Sequence, residues 1–160
     1  RMKIGKEKVV SIHYTLKDNE GTTLDSSVGD QPLLYIHGIG NLIPGMEEGL
    51  DGKVKGDKVE IKVSPEKGYG VRDERMIQKM PRTAFGDQKV EVGMQFNAGT
   101  KNGQQVVTVT KVEMDGITID GNHALAGVEL NFSVEVLDVR DASKDELAHG
   151  HVHGPGGHHH

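Results

Sequence analysis

The chain has no cysteine and no tryptophan, and its aromatic residues are three Phe and three Tyr. Without thiols it can form no disulfide and run no thiol chemistry, which suits a reducing, cytoplasmic setting. No apolar run approaches membrane-spanning length and no signal-peptide core opens the chain, so no membrane partner is expected. Arg1 ahead of Met2 reads as a cloning remnant. Basic surplus is also missing, since the formal net charge is -5. Residues 1–69 carry 10 basic and 11 acidic side chains, 70–122 carry 7 and 7, and 123–160 carry 2 and 6. The acidity therefore sits at the C-terminus, and the electrostatic footprint of a nucleic-acid binder is absent. No block of like charge marks a long disordered arm.

What is present points to β structure. The 160 residues allow one domain or two small ones, and 22 glycines separate many short alternating runs. Val10, Ile12, Tyr14 and Leu16 alternate with polar residues, as a half-buried strand requires. Asp18–Gly21 is a turn, Thr22–Asp25 a short return strand, and Gln31–Ile36 another extended run. Val59, Ile61 and Val63 alternate with Lys58, Glu60 and Lys62. Between these strands lies Asn41–Leu50, where Leu42, Ile43, Met46 and Leu50 would share one face of about two helical turns. Pro44, Gly45 and Gly49 make it a poor helix by propensity, so packing must hold it.

The phrase Ile43-Pro44-Gly45-Met46-Glu47-Glu48-Gly49, with Val10–Thr15 and Leu24-Asp25-Ser26-Ser27 ahead of it, resembles the FKBP-type peptidyl-prolyl isomerases. The resemblance implies a β-rich (α+β) fold: a curved antiparallel sheet crossed by a short helix that floors a proline pocket. The last-strand candidate, Leu130–Val136, comes about sixty residues after Tyr69-Gly70 rather than after a short flap. The intervening residues have strand patterns of their own at Val92–Phe96, Val106–Val112 and Ile117–Ile119, a helical turn at Pro81–Phe85, and hairpin turns at Asn102-Gly103 and Asp115-Gly116. An unstructured loop of that length is improbable, so a small β-rich domain is expected in the flap, as in the SlyD branch of the FKBP family. The expected organisation is an isomerase domain over 1–69 and 122–140, an insert over 70–121, a short helix over 141–148 and a flexible His-rich tail over 149–160. Ser143-x-x-Glu146 is a capping box for that helix.

Rotation about an X–Pro bond faces a barrier of about 18–20 kcal/mol and takes tens to hundreds of seconds unaided. Lowering it needs no nucleophile and no metal. It needs a dry pocket favouring the twisted, less polar amide, plus donors that hold the backbone. The resemblance assigns catalysis to Tyr14, Asp25, Ile43, Tyr69 and Phe132, and pocket lining to Leu24, Leu33, Tyr35, Leu42, Met46, His123, Ala124 and Leu125. It implies that the Ile43 N–H and the Tyr69 hydroxyl donate to the bound chain and that Asp25 orients Tyr14. Read locally, Tyr14 and Phe132 are equally core residues of alternating strands, and Asp25 an Asx-turn former. His13 and His37 read as structural. Met46 stands where single-domain relatives often have Trp, which leaves the floor apolar but more adaptable.

The insert carries Met76, Ile77, Met80, Phe85, Met94 and Phe96 and is formally neutral. Adaptable Met-rich surfaces suit promiscuous partners, although a domain this small needs apolar side chains for its own core. His149, His151 and His153 alternate in an Ala-His-Gly-His-Val-His phrase like that of SlyD-type metal-binding tails, and neutral imidazoles suit Ni²⁺, Cu²⁺ and Zn²⁺. His158–His160 are either natural tail or purification tag. The expected protein is a cytoplasmic monomer with no catalytic cofactor. It isomerises X–Pro bonds, holds unfolded or proline-containing chains, signal peptides among them, and binds Ni²⁺ or Zn²⁺ at its tail. A non-catalytic peptide-binding module and a metal-storage or delivery protein are the alternatives.

Overall fold

The computed structural model describes residues 1–100 and 103–153. The chain divides into two compact units, Arg1–Gly70 with the segment from Gly127 onward, and Val71–Ala126. It re-enters the first unit at Gly127 rather than at Asn122. Within the first unit the exit and re-entry points are tied, with the Gly127 N–H donating to the Gly70 carbonyl at 2.7 Å.

The first unit is a five-stranded antiparallel sheet. Its strands are β1 (Lys8–Lys17), β2 (Thr23–Ser26), β3 (Leu33–Ile36), β4 (Lys58–Val63) and, after the second unit, β9 (Leu130–Asp141). β1 pairs along one edge with both β3, at Val9–Ile12, and β2, at Thr15–Lys17, while β9 takes its other edge. The alternation seen in the sequence is the alternation of burial: Val10, Ile12 and Leu16 are buried, and so are Val136 opposite Ile12, Phe132 opposite Leu16 and Val134 between them on β9.

α1 (Pro44–Leu50) packs on β4. Its helix-breaking composition is explained by that contact. Gly45 and Gly49 lie four residues apart, about 6 Å along a helix, which matches the two-residue step from Ile61 to Val63 on the strand. A Cβ on Gly45 would come within 2.5 Å of Val63, and one on Gly49 within 2.7 Å of Ile61. The C-terminal end of α1 is tied through Asp51, whose carboxylate meets His37 Nε2 at 3.1 Å, and His37 Nδ1 meets the Tyr35 hydroxyl at 3.0 Å. Glu47 accepts the Gly38 N–H at 2.8 Å.

α2 (Lys144–His149) begins in the expected capping box, in which the Glu146 N–H donates to Ser143 Oγ and the Ser143 N–H to Glu146 Oε1. His149–His153, expected to begin a flexible tail, instead fold back onto the unit. Val152 is buried against Val9 and Ile36, on the face of β1 opposite Val10. His158–His160 lie outside the described residues, as does Asn102 of the expected hairpin turn.

The second unit is a four-stranded antiparallel sheet in the order β5-β8-β7-β6, built from β5 (Ile77–Met80), β6 (Gln95–Thr100), β7 (Gly103–Glu113) and β8 (Gly116–Asp120). β5 was not legible in the sequence, because its four residues Ile-Gln-Lys-Met alternate too briefly to stand out. The strand expected over Val92–Phe96 starts later, at Gln95. Gly93 adopts a φ of +96° and the Met94 N–H turns back to Glu91, so the first residues of that run form a turn. Val107, Val109 and Ile117 are its buried core. No helix of the described residues is long and apolar enough to cross a membrane.

Candidate active site

A pocket opens on the face of the first unit's sheet that α1 crosses. β1 contributes Tyr14 and Leu16, β2 Asp25, β3 Leu33, and β9 Phe132. Leu42, Ile43 and Met46 come from α1 and its entry, and Tyr69 from the turn after β4. Asp25 is the one charged side chain among these nine.

The walls follow from strand periodicity. Tyr14 and Leu16 are two apart on β1, and the register sets Leu16 opposite Phe132, so the Tyr14 and Phe132 rings meet on the diagonal with centroids 6.3 Å apart. Met46 is buried on the floor. Ile43 is the N-cap residue of α1, and its N–H has no acceptor among the described residues. Tyr69 is held at the rim by a tight turn in which the Gly68 and Gly70 N–H groups both donate to the Pro65 carbonyl.

Tyr14 donates its hydroxyl to Asp25 Oδ2 at 2.8 Å, while Asp25 Oδ1 accepts the Ser26 N–H at 2.8 Å. Asp25 thus bonds the Tyr14 hydroxyl and the N–H of the next residue of its own strand, which is not the two-residue reach of an Asx-turn. Burial, then the hydrogen bond to Asp25, pushes the Tyr14 phenol well above its ordinary range, and burial followed by the Asp25 charge raises Tyr69. Both phenols therefore keep their protons at neutral pH and present O–H groups rather than phenolates.

Two expected lining residues of the first unit lie elsewhere in it. Tyr35 is on the same face of β3 as Leu33 but one full pleat, about 7 Å, further along; it is fully buried and bonded to His37. Leu24 precedes Asp25 on β2, so alternation turns it away from the pocket, and it is exposed. His123, Ala124 and Leu125 fall in the second unit, in a turn closed by the Ala126 N–H on the His123 carbonyl and the Leu125 N–H on His123 Nδ1.

Two residues of the site were missed. Leu16 was signalled by its alternation with Tyr14. Ser27 closes the Leu24-Asp25-Ser26-Ser27 phrase, which gives no cue to its role: buried beside β1, its hydroxyl accepts the Tyr14 N–H and meets His13 Nδ1, both at 2.9 Å, and so locks the backbone that carries Tyr14.

In the second unit, Met76 and Met80 line a depression across the sheet together with Ala98, Val107 and Ile119 and with the polar Asp73, Arg75, Gln78, Gln104 and Gln105. Phe85 and Phe96 pack edge to face with centroids 5.4 Å apart, Ile77 is half-buried, and Met94 is exposed. At the C-terminus, His149, His151 and His153 bring one ring nitrogen each to within 4.8 Å of one another. His149 Nδ1 and His153 Nε2 are 3.0 Å apart.

Residues 1–137 match the family model described as FKBP-type peptidyl-prolyl cis-trans isomerase. Among curated proteins the chain is similar to the FKBP-type peptidyl-prolyl cis-trans isomerase SlyD of Haemophilus influenzae, 47% identical over 96% of this chain and 81% of that one. The SlyD of Vibrio cholerae is 47% identical over 98% of this chain and 78% of its own length. That of Escherichia coli K12 is 45% identical over 96% and 79%. With the model covering most of its length and such relatives nearly all of it, the chain belongs to the FKBP-type peptidyl-prolyl cis–trans isomerase family.

Proposed function

We propose that the chain isomerises X–Pro bonds in the pocket bounded by Tyr14, Met46 and Phe132, and that the inserted unit holds unfolded substrate while it does so. The observation that carries the first part is an apolar, aromatic-walled pocket with one charged residue, and that residue is occupied with Tyr14. The planar amide is the more polar state, so moving it from water to such a pocket favours the twisted one. The Ile43 N–H donates to the carbonyl beyond the proline and the Tyr69 hydroxyl to the bound backbone. Phe132 and Met46 pack the ring, while Asp25 fixes the Tyr14 phenol. Every 1.4 kcal/mol taken from the barrier is a tenfold gain in rate.

Holding by the insert is supported by the Met76 and Met80 depression, whose thioethers adapt to varied side chains. Keeping a substrate near the pocket raises its effective concentration. Clients are unfolded proline-containing chains, signal peptides among them, and the setting is the cytoplasm.

His149, His151 and His153 form the third element, a site for Ni²⁺ or Zn²⁺. Their donor set fits. Bonds of about 2.0–2.1 Å at tetrahedral angles need nitrogens about 3.3 Å apart, and the three nitrogens already lie within 4.8 Å. The metal has no part in bond rotation.

Refolding of a proline-limited protein, compared with turnover of a short proline peptide, tests the reading. Replacing Val71–Ala126 by a short loop between Gly70 and Gly127 should spare the peptide rate and lose most of the rate on protein. Equal losses on both substrates would remove the holding role. No acceleration of either by the intact chain would remove the assignment of catalysis to this pocket.

A further inference from the structure

The three histidines are not on a loose segment, and a buried carboxylate, Glu146, accepts the backbone N–H of one of them, His153. This carboxylate is 2% exposed and saturated with donors. Its Oε1 accepts from Arg140 Nη1 and from the Ser143 N–H, each at 2.8 Å. Its Oε2 accepts from Arg140 Nη2 at 2.8 Å and from the His153 N–H at 2.9 Å. These bonds, the Arg140 pair foremost, hold it ionised far below the usual carboxylate range. The isomerase reaction uses none of this.

We infer that Glu146 is the positioning residue of the three-histidine site, closing residues 146–153 into a loop that is built before a divalent transition-metal ion arrives. The inference rests on the metal reading of the tail. Three further anchors serve the same loop. Gly150 takes the left-handed conformation, φ +73°, and returns its N–H to the Glu146 carbonyl. Its own carbonyl accepts from Asn41 Nδ2 at 3.3 Å. Val152 is buried between His151 and His153. With the backbone held at 146, 150, 152 and 153, the rings of His149, His151 and His153 are left neighbouring one another, with centroids 5.1–5.7 Å apart. A free histidine tail would have to order its backbone when it binds a metal; this one has already done so. Ring nitrogens that share a hydrogen at 3.0 Å, as His149 and His153 do, become ligands when that hydrogen shifts to the donor ring's other nitrogen, a tautomer change with no net charge.

The Glu146→Gln substitution is informative because it keeps the shape. An amide has one acceptor oxygen, so either the Arg140 Nη1 and Ser143 pair or the Arg140 Nη2 and His153 pair must face an NH₂ group. Keeping the helix cap leaves His153 untied.

The experiment is calorimetric titration of the full chain with Co²⁺ and Ni²⁺ alone, on a background with His158–His160 changed to Ala, with the Co²⁺ absorption spectrum recorded at saturation. Wild type should bind one ion tightly. Glu146→Gln should weaken binding about 10–100-fold, as loss of a ligand-orienting group does elsewhere, with a less favourable binding entropy and an unchanged saturated spectrum. Val152→Ala, which leaves the Glu146 network intact, should weaken it in the same way. Metal-free amide exchange of the unmodified chain should show His153 protected. If His149, His151 and His153 changed together to Ala leave binding intact, the metal reading fails and this inference with it. If that triple change abolishes binding but Glu146→Gln and Val152→Ala bind as tightly as wild type, or if His153 exchanges like an open chain, the positioning role is overturned and the metal reading stands.

Discussion

Gly45 lies so close against Val63 that no side chain fits between them: a Cβ on Gly45 would stand 2.5 Å from Val63 Cγ1. The short helix with Ile43 at its entry and Met46 on the pocket floor can approach β4 only because its contact stripe is glycine. Gly45→Ala should therefore destabilise the chain by about 1–3 kcal/mol through overpacking, measured by chemical unfolding. It should also lower kcat/KM on a proline peptide by shifting Ile43 and Met46. Adding Val63→Ala should recover part of both losses. Independent, additive effects of the two changes would show that the contact is not what decides the position of α1.

Tyr14→Phe keeps the ring against Phe132 and removes only the hydrogen bond to Asp25. A hydrogen bond to a charged group contributes about 1.5–3 kcal/mol, less where solvent reaches it, so kcat/KM should fall about tenfold while stability changes by about 1 kcal/mol or less. An unchanged kcat/KM would leave Asp25 without an orienting role.

Tyr35→Phe separates core from pocket. It leaves His37 Nδ1, buried beneath α1, without its partner, which should cost about 1–3 kcal/mol of stability. Since Tyr35 does not line the pocket, the peptide kcat/KM at 25 °C should be that of wild type. A selective loss of activity at full stability would return Tyr35 to the pocket.

The pH dependence follows from the phenols. Tyr14 and Tyr69 have pKa values raised in the folded chain above the ordinary 10.0. The folded chain thus holds these protons more tightly than the unfolded one. Their contribution to stability is complete below about pH 10 and is lost as pH rises past that value toward the raised ones. Unfolding midpoints recorded from pH 8 to 11.5 should fall more steeply for wild type than for Tyr14→Phe. On account of these groups, activity should be flat between pH 6 and 9. An activity step within that interval, absent from Tyr14→Phe or a Tyr69→Phe variant, would contradict the assignment.

β1 and β4 could be read from period-2 alternation because each buries one face, β2 and β3 only from the turn and the extended run around them, and α2 could be read from Ser143 and Glu146 because a capping box is a local device. The motif around Asn41–Leu50 located the pocket's floor, and Tyr14, Leu33 and Phe132 came with their strands. Errors arose where a long-range register decides. Tyr35 shares a face with Leu33 but lies one pleat beyond the pocket, and Leu24 was credited to the face that Asp25 occupies. β5 is too short to carry a period of its own and exists only because β8 offers it an edge. Ser27 stands in the Leu24–Ser27 phrase without a legible role, since what it bonds depends on where β1 passes.

Residue order alone determined most of the strand pattern and the presence of a second β-rich unit, because alternation, turn chemistry and spacing act over a few neighbours, while the chemical type of the pocket came from the family motif around Asn41–Leu50. Which faces meet was decided only in three dimensions. Gly45 against Val63, Tyr14 against Asp25, and Glu146 holding the backbone of His153 each depend on strand register or on how the chain turns back in space, and those are set by the packing of the whole unit.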